Sequence, residues 1–252
     1  MHNPPLHRLG QSRSAHQPNH LLLTPDTFVR TALPGMQNCT TVVHVGPATG
    51  AGFTEYTAEF APGGVLGGTA AERFLYVLDG DLSLEAEGKR KPMAPRGYAY
   101  IPRDVPHRIV ATKASGAVII EKPYRQLENV APPAAIVSSE DAVAAHVLED
   151  DPDVQVKRLL PDDLSFDFAV NTMVYQPGAA LSQVEMHVME HGLLMLEGGG
   201  IYRLGDSWYP VTAGDFIWMA PWCPQWFGAI GKAAAKYLIY KDWNRHPLGN
   251  AR

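Results

Sequence analysis

Short apolar runs recur along the whole chain, and each is bounded by glycine, proline or other turn-forming residues. These runs are rich in β-branched and aromatic side chains, whereas long stretches with helical periodicity are scarce. In the first half the pattern predicts strands near Cys39–Val45, Phe53–Phe60, Phe74–Leu78, Leu82–Ala86, Tyr98–Ile101, Arg108–Ala111 and Ala117–Lys122. In the second half it predicts strands near Phe166–Tyr175, Ser182–His187, Gly192–Leu196, Ile201–Leu204, Asp215–Met219, Gln225–Gly228 and Lys236–Tyr240. Many short strands separated by such turns indicate an all-β fold built as a sandwich or a barrel.

The second half of the chain repeats the first at an offset of 118 positions. Leu78-Asp79-Gly80 falls on Leu196-Glu197-Gly198, and Pro106-His107 falls on Pro224-Gln225. Several landmarks in the same order are typical of an internal duplication. We therefore predict two tandem barrels in one chain, with few short helices.

The repeat and the composition of the connecting stretches suggest four segments. We predict an N-terminal arm at 1–37, a first barrel at 38–125, a linker at 126–161 and a second barrel at 162–252. The start of the arm is rich in Pro, His, Ser and Asn, so we expect it to be mobile or swapped with a partner chain. Within the linker, Asp141–Leu148 is the one stretch that we expect to form a short helix.

Composition excludes several classes of protein. Of 252 residues, 46% are apolar and 19% are charged, as in an ordinary globular protein. A net charge of −5 argues against non-specific binding to nucleic acid or to an anionic membrane. No apolar run approaches the roughly 20 residues of a membrane span, and the start of the chain lacks the apolar core of a signal peptide. Two cysteines, Cys39 and Cys223, do not make a disulfide framework, so we expect a cytoplasmic setting.

Side chains that bind metals gather in the second copy of the repeat. Glu185 and His187 lie two positions apart, so on a strand they point to the same face. His191 can return to that face on the next strand, and Gln225 begins a later one. A barrel could bring these four side chains to one point inside its mouth.

The first copy of the repeat lacks this set. The positions that correspond to Glu185, His187 and His191 hold Gly67, Thr69 and Arg73. His107 corresponds to Gln225 and has no companion ligands. We therefore predict that the first barrel is degenerate and binds no metal.

The donor chemistry of the second copy suggests which ion it holds. One carboxylate, two imidazoles and one carboxamide form a mixed N/O set that suits octahedral Mn²⁺, with Fe²⁺ as the second choice and zinc third. Four protein ligands on an octahedral ion leave two adjacent positions for a substrate. The spacing Glu-x-His-x₃-His is a weak motif by itself, because pairs of surface histidines on strands are common, and Glu190 is an alternative ligand beside His191.

The pattern resembles the cupin superfamily in its two-barrel form, the bicupins. Cupins usually have His-x-His, then Glu and Gly, in a first motif and His in a second. Here the four ligand positions hold Glu185, His187, His191 and Gln225, a set similar to that of the (S)-ureidoglycine aminohydrolase family, which uses manganese in its C-terminal barrel. The resemblance covers the chain except for Met1–Gln17.

The resemblance implies an activity and roles for further residues. It implies hydrolysis of (S)-ureidoglycine, with release of ammonia and formation of (S)-ureidoglycolate, in purine degradation. Glu185 and Lys241 are then expected to be catalytic, and Tyr202, Tyr237 and Lys241 to bind the small ureido substrate. Lys241 would neutralise the substrate carboxylate or transfer protons. The plain alternatives are packed aromatic residues for each Tyr and a solvated strand end for Lys241.

Two other readings of a bicupin stay open at this point. One is a dioxygenase or decarboxylase that uses iron or manganese, although such sites more often keep three His and one Glu, so Gln225 counts against it. The other is a non-catalytic binding or storage protein. In each case we expect a homo-oligomer, because bicupins commonly associate through sheet edges and terminal arms.

Overall fold

The computed structural model describes residues 12–245, and they are almost entirely β-structure. In chain order the first strands are β1 (Ala15–Gln17), β2 (His20–Leu23), β3 (Arg30–Thr31), β4 (Met36–Val45), β5 (Thr54–Leu66), β6 (Glu72–Asp79), β7 (Leu82–Ala86), β8 (Lys89–Met93), β9 (Gly97–Ile101), β10 (His107–Ala111), β11 (Ser115–Lys122) and β12 (Ile136–Ser139). The others are β13 (His146–Leu148), β14 (Asp151–Arg158), β15 (Phe168–Tyr175), β16 (His191–Glu197), β17 (Gly199–Leu204), β18 (Ser207–Thr212), β19 (Phe216–Met219), β20 (Gln225–Ala229) and β21 (Ala235–Asp242). Short 3₁₀ turns lie at Pro25–Thr27, Pro47–Thr49 and Glu140–Ala142. The all-β prediction is confirmed, and the described residues contain no helix long and apolar enough to cross a membrane.

The chain divides into two compact units, one for each copy of the repeat. Unit 1 comprises Val29–Val143, and the described part of unit 2 comprises residues 12–28 and 144–245. The boundary lies inside the stretch 126–161 that the sequence predicts to be a linker.

Unit 1 is one strongly bent antiparallel sheet. Its strand order is β12-β9-β6-β11-β5-β10-β7-β8, with β4 paired to β5 and β3 paired to β4. The 13-residue strand β5 pairs with β4, β10 and β11, which lets a single sheet surround a core. Alternate residues of β5, among them Tyr56, Ala58 and Phe60, enter that core.

Unit 2 consists of two sheets that share one core. The larger sheet has the order β1-β2-β19-β16-β21-β15-β14-β13, and the smaller has the order β18-β17-β20. Tyr175, Leu193, Ile217 and Tyr237 from the larger sheet join Phe227 of the smaller sheet in one buried cluster. The inward faces of β15, β16 and β21 therefore line the space in which the predicted site lies.

The described part of the predicted arm is ordered differently from the expectation. Strands β1 and β2 form a hairpin, and β2 pairs with β19 of unit 2. Leu22 is fully buried, and Arg13 makes a two-pronged ion pair with the buried carboxylate of Asp215. The apolar triplet of β2 thus holds 12–28 on unit 2, whereas residues 1–11 lie outside the described residues.

The predicted linker also carries regular structure. Strand β12 pairs with β9 in unit 1, and β13 and β14 extend the larger sheet of unit 2. The short helix predicted at Asp141–Leu148 is absent from the described residues, where Glu140–Ala142 forms a single 3₁₀ turn capped by the Ser139 hydroxyl. The physical reason is alternation in β14, which buries Val154 between exposed neighbours and so favours a strand.

Glu55, on β5, is a buried carboxyl group. Within residues 12–245 its Oε2 has no hydrogen-bond partner, and burial raises the pKa of Glu55 from 4.5 to about 8. A raised pKa in the folded state stabilises the fold below the unfolded-state pKa, and this contribution is lost as pH rises through about 8.

Replacing Glu55 with glutamine should therefore change the pH dependence of stability. We expect the melting temperature of the variant, relative to wild type, to rise by roughly 5 °C between pH 5 and pH 8, because one pKa unit corresponds to about 1.4 kcal/mol. Thermal unfolding at both pH values measures the difference. Parallel pH profiles for the two proteins would contradict this interpretation.

Candidate active site in unit 2

Glu185 and Gln225 are fixed opposite each other by their own backbones. The Glu185 N–H donates to the Gln225 carbonyl at 2.8 Å, and the Gln225 N–H donates back at 2.9 Å. Residues that exchange both hydrogen bonds lie directly opposite each other in an antiparallel pair, and their side chains share a face. The predicted strand Ser182–His187 is otherwise wrong, because that segment pairs only through isolated bridges at Ala180 and Glu185.

His187 lies against the carboxylate of Glu185. Its Nε2 is 3.1 Å from Glu185 Oε2, and its backbone carbonyl accepts a hydrogen bond from the Trp222 N–H at 2.7 Å. The predicted parity of the two side chains thus holds without a regular strand, since the bridge to Gln225 and the bond from Trp222 fix the segment on both sides of Met186.

His191 begins strand β16 and is buried. It pairs across the sheet with Met219 on one side and Lys241 on the other, and its ring centroid is 5.1 Å from that of His187. Burial lowers the pKa of His191 well below its usual range, and the nearby Lys241 and His187 lower it further. The neutral imidazole that results is the form that binds a metal.

The four predicted ligands are therefore connected by direct contacts. Glu185 contacts both His187 and Gln225, and His187 contacts His191. Two donors at right angles around an ion with bonds of about 2.1 Å lie about 3 Å apart, as Glu185 Oε2 and His187 Nε2 do here. Across residues 12–245, no three His, Cys, Asp or Glu side chains are already arranged as a closed metal cage. The donor set fits a divalent ion that draws the side chains together.

The alternative ligand Glu190 is engaged elsewhere. Its Oε2 accepts a hydrogen bond from Trp218 Nε1 at 3.1 Å. Trp218 lies on β19 between core-facing Ile217 and Met219, so it points to the opposite face of the sheet from those residues. This contact favours Glu185 over Glu190 as the carboxylate donor.

Tyr202 lies beside the carboxamide of Gln225. Its Oη donates to Gln225 Oε1 at 3.4 Å, and its ring packs against Phe227. Burial raises the pKa of Tyr202 well above its usual range. The hydroxyl therefore stays protonated near neutral pH and serves as a hydrogen-bond donor.

Tyr237 has a partner that the sequence reasoning missed. Its hydroxyl lies 2.9 Å from that of Tyr175, and burial raises the pKa of both. Tyr237 is directly opposite Met173, so Tyr175, two residues further on, shares the inward face. The alternation of Met173 and Tyr175 in the predicted strand was the signal that could have identified this residue.

Lys241 lies on the same inward face as Tyr237, and it is directly opposite His191 in the next strand. Burial lowers the pKa of Lys241, Glu185 opposes the shift, and Arg158 adds to it. Lys241 lines a cavity of about 160 Å³ together with Arg158, Asn171 and Trp243. Sequence reasoning missed Arg158 and Asn171, because β14 lay in the predicted linker.

The corresponding place in unit 1 is filled by a guanidinium group. Arg73 corresponds to His191, and it donates to the carbonyl of Gly67 at 2.8 Å and contacts His107 Nε2 at 2.7 Å. Those two residues correspond to Glu185 and Gln225. Glu121, directly opposite Arg73 as Lys241 is opposite His191, accepts hydrogen bonds from Arg73 at 2.6 and 2.8 Å. A built-in cation thus takes the position that an ion would occupy in unit 2.

Cys223, close to Gln225 in sequence, is part of the core of unit 2. It is a free and buried thiol whose pKa is raised by burial. A raised pKa disfavours the nucleophilic thiolate. Its environment is that of a small apolar side chain.

Comparison with known proteins identifies the fold family. The Cupin domain model matches residues 56–121 and 171–240, one segment in each unit and together more than half of the chain. The two-barrel cupin prediction is confirmed. Oxalate decarboxylase from Bacillus subtilis is similar in fold, with a TM-score of 0.68 at 11% sequence identity over 89% of this chain and 77% of that one.

Closer relatives share most of the chain. The probable (S)-ureidoglycine aminohydrolase of Oryza sativa subsp. japonica is 42% identical over 95% of this chain and 78% of the relative. The (S)-ureidoglycine aminohydrolase of Escherichia coli K12 is 33% identical over 90% of this chain and 89% of the relative. The crystal structure of protein Ylba from E. coli superposes with a TM-score of 0.83 at 30% identity, covering 96% of this chain and 98% of that one. The chain therefore belongs to the (S)-ureidoglycine aminohydrolase family of two-barrel cupins.

Proposed function

We propose that this chain hydrolyses (S)-ureidoglycine to (S)-ureidoglycolate and ammonia, using a metal ion held by Glu185, His187, His191 and Gln225. The observation that carries the proposal is the convergence of these four side chains in unit 2 beside a cavity lined by Lys241. Relatives with this name cover most of the chain. In the reaction a carbon–nitrogen bond breaks, a carbon–oxygen bond to water forms, and ammonia leaves.

Manganese is the proposed ion, with Fe²⁺ as the second choice. The single carboxylate, two nitrogen donors and carboxamide oxygen suit these ions better than Zn²⁺, which prefers tetrahedral sites and often thiolate. When bound, the ion would polarise the reacting carbon–nitrogen bond and orient the substrate.

The charges near the cavity suit a substrate that carries a carboxylate. Lys241 and Arg158 both line it, so its wall is cationic. The lowered pKa of Lys241 also brings its ammonium group closer to the range in which it can give up a proton. We propose that Lys241 neutralises the substrate carboxylate and transfers protons during loss of ammonia.

The tyrosines are proposed to orient the substrate as hydrogen-bond donors. Both Tyr202 and Tyr237 keep their protons near neutral pH because burial raises their pKa. Tyr175 holds the hydroxyl of Tyr237 in place, and Gln225 holds that of Tyr202. Fixed donors lose little freedom when the substrate binds.

The direct test is ammonia release from freshly generated (S)-ureidoglycine by the purified, manganese-loaded protein. We expect a rate well above that of the spontaneous reaction and no oxygen uptake, which separates this activity from that of a dioxygenase. Release of ammonia no faster than in the absence of protein would refute the proposed function.

A further inference from the structure

We propose that unit 1 has its own binding site for a small amphipathic carboxylate, separate from the catalytic site. A cavity of about 510 Å³ lies in this unit, within the size range of small-molecule sites. Its walls are mostly apolar and include Leu84, Ile101, Val105 and Val137. None of the residues proposed to bind the metal or the ureido substrate lines it.

Two lysines give this apolar cavity a cationic rim. Lys91 is directly opposite Leu84 and Lys89 is directly opposite Ala86 in the β7–β8 hairpin, so each pair shares a face. All four residues line the cavity. Leu84 and Ala86 lie on the core-facing side of β7, which means that both ammonium groups belong to the inner face of the hairpin.

The charge on this rim is not neutralised inside the protein. Among the described residues, neither Lys89 nor Lys91 forms an ion pair, whereas Arg90 between them faces the other side and lies 3.8 Å from Glu85. Glu87 is the single acid that lines the cavity, which leaves one excess positive charge. An anionic group near the lysines, joined to an apolar body along the walls, complements both features.

The position of the cavity supports a ligand role. Leu84 corresponds to Tyr202 in the repeat, and Ile101 is directly opposite Arg73. The cavity thus lies beside the place where unit 1 has an arginine instead of ligands for an ion. Unit 1 retains a concave inner surface there, with fixed cations in place of a metal.

Calorimetric titration with hexanoate tests the proposal, and hexanamide serves as the uncharged probe. Three proteins are compared: wild type, the double variant K89M/K91M, and the control R90M, which removes the same kind of charge from the opposite face. We expect hexanoate to bind wild type and R90M within about twofold of each other, and K89M/K91M at least about tenfold more weakly. Hexanamide should bind all three weakly.

Controls make every outcome decisive. Circular dichroism melts show that each variant is folded, and the single variants K89M and K91M should each lose part of the affinity. Turnover of ureidoglycine should not change in K89M/K91M, since neither lysine belongs to the catalytic site. Failure of wild type to bind hexanoate, equal binding to all three proteins, or equal binding of hexanamide would overturn the proposal.

Discussion

Replacing Lys241 with alanine should lower kcat for ammonia release by a factor of about 10²–10⁴ and leave the bound metal in place. Lys241 is directly opposite His191 and lines the cavity, but it is not one of the four proposed ligands. The loss should therefore fall on the proton transfer and on substrate charge neutralisation. Metal analysis and steady-state kinetics on the same preparation measure both quantities.

A matched variant separates the two roles of this lysine. Lys241→Arg keeps the positive charge but cannot give up a proton near neutral pH. If Lys241 transfers protons, the arginine variant should retain KM and lose kcat. If it only neutralises the carboxylate, arginine should restore much of both. A parallel loss of metal in Lys241→Ala would show that the residue has a structural role instead.

Replacing His191 with alanine should remove both the metal and the activity. His191 is buried and neutral, and its pKa is held low by burial and by Lys241. Its ring is therefore available as a nitrogen donor without loss of a proton, and no neighbouring donor replaces it. We expect metal content near zero and ammonia release at the spontaneous rate.

Chelation of wild type should reproduce this loss, and added Mn²⁺ should reverse it only where the four ligands are intact. His16→Ala is the control, because His16 is an exposed histidine of the same unit. A His191→Ala variant that keeps a full complement of metal would exclude His191 as a ligand.

Much of the fold could be predicted from sequence because its signals are local or periodic. The alternation along β5, β6 and β11 and the offset between Gly80 and Gly198 indicate strands and a duplication without any knowledge of tertiary contacts. The site residues could be proposed for the same reason, since Glu185, His187 and His191 lie within seven positions of one another.

The elements that were missed depend on pairing across long sequence distances. Strand β2 is short, and its partner β19 is almost 200 residues away, so nothing local showed that 12–28 belong to unit 2. The Glu185 segment is fixed by one bridge to Gln225 and not by a strand of its own. Arg158 and Tyr175 became visible only when β14, β15 and β21 were seen side by side. The homo-oligomer and the cytoplasmic setting stay predictions.

Anomalous diffraction from crystals of the manganese-loaded protein tests the central claim most directly. The account predicts one strong peak per chain, about 2.2 Å from Glu185, His187, His191 and Gln225, and no peak beside Arg73. A manganese peak elsewhere, or donor atoms too far apart to share one ion, would contradict it.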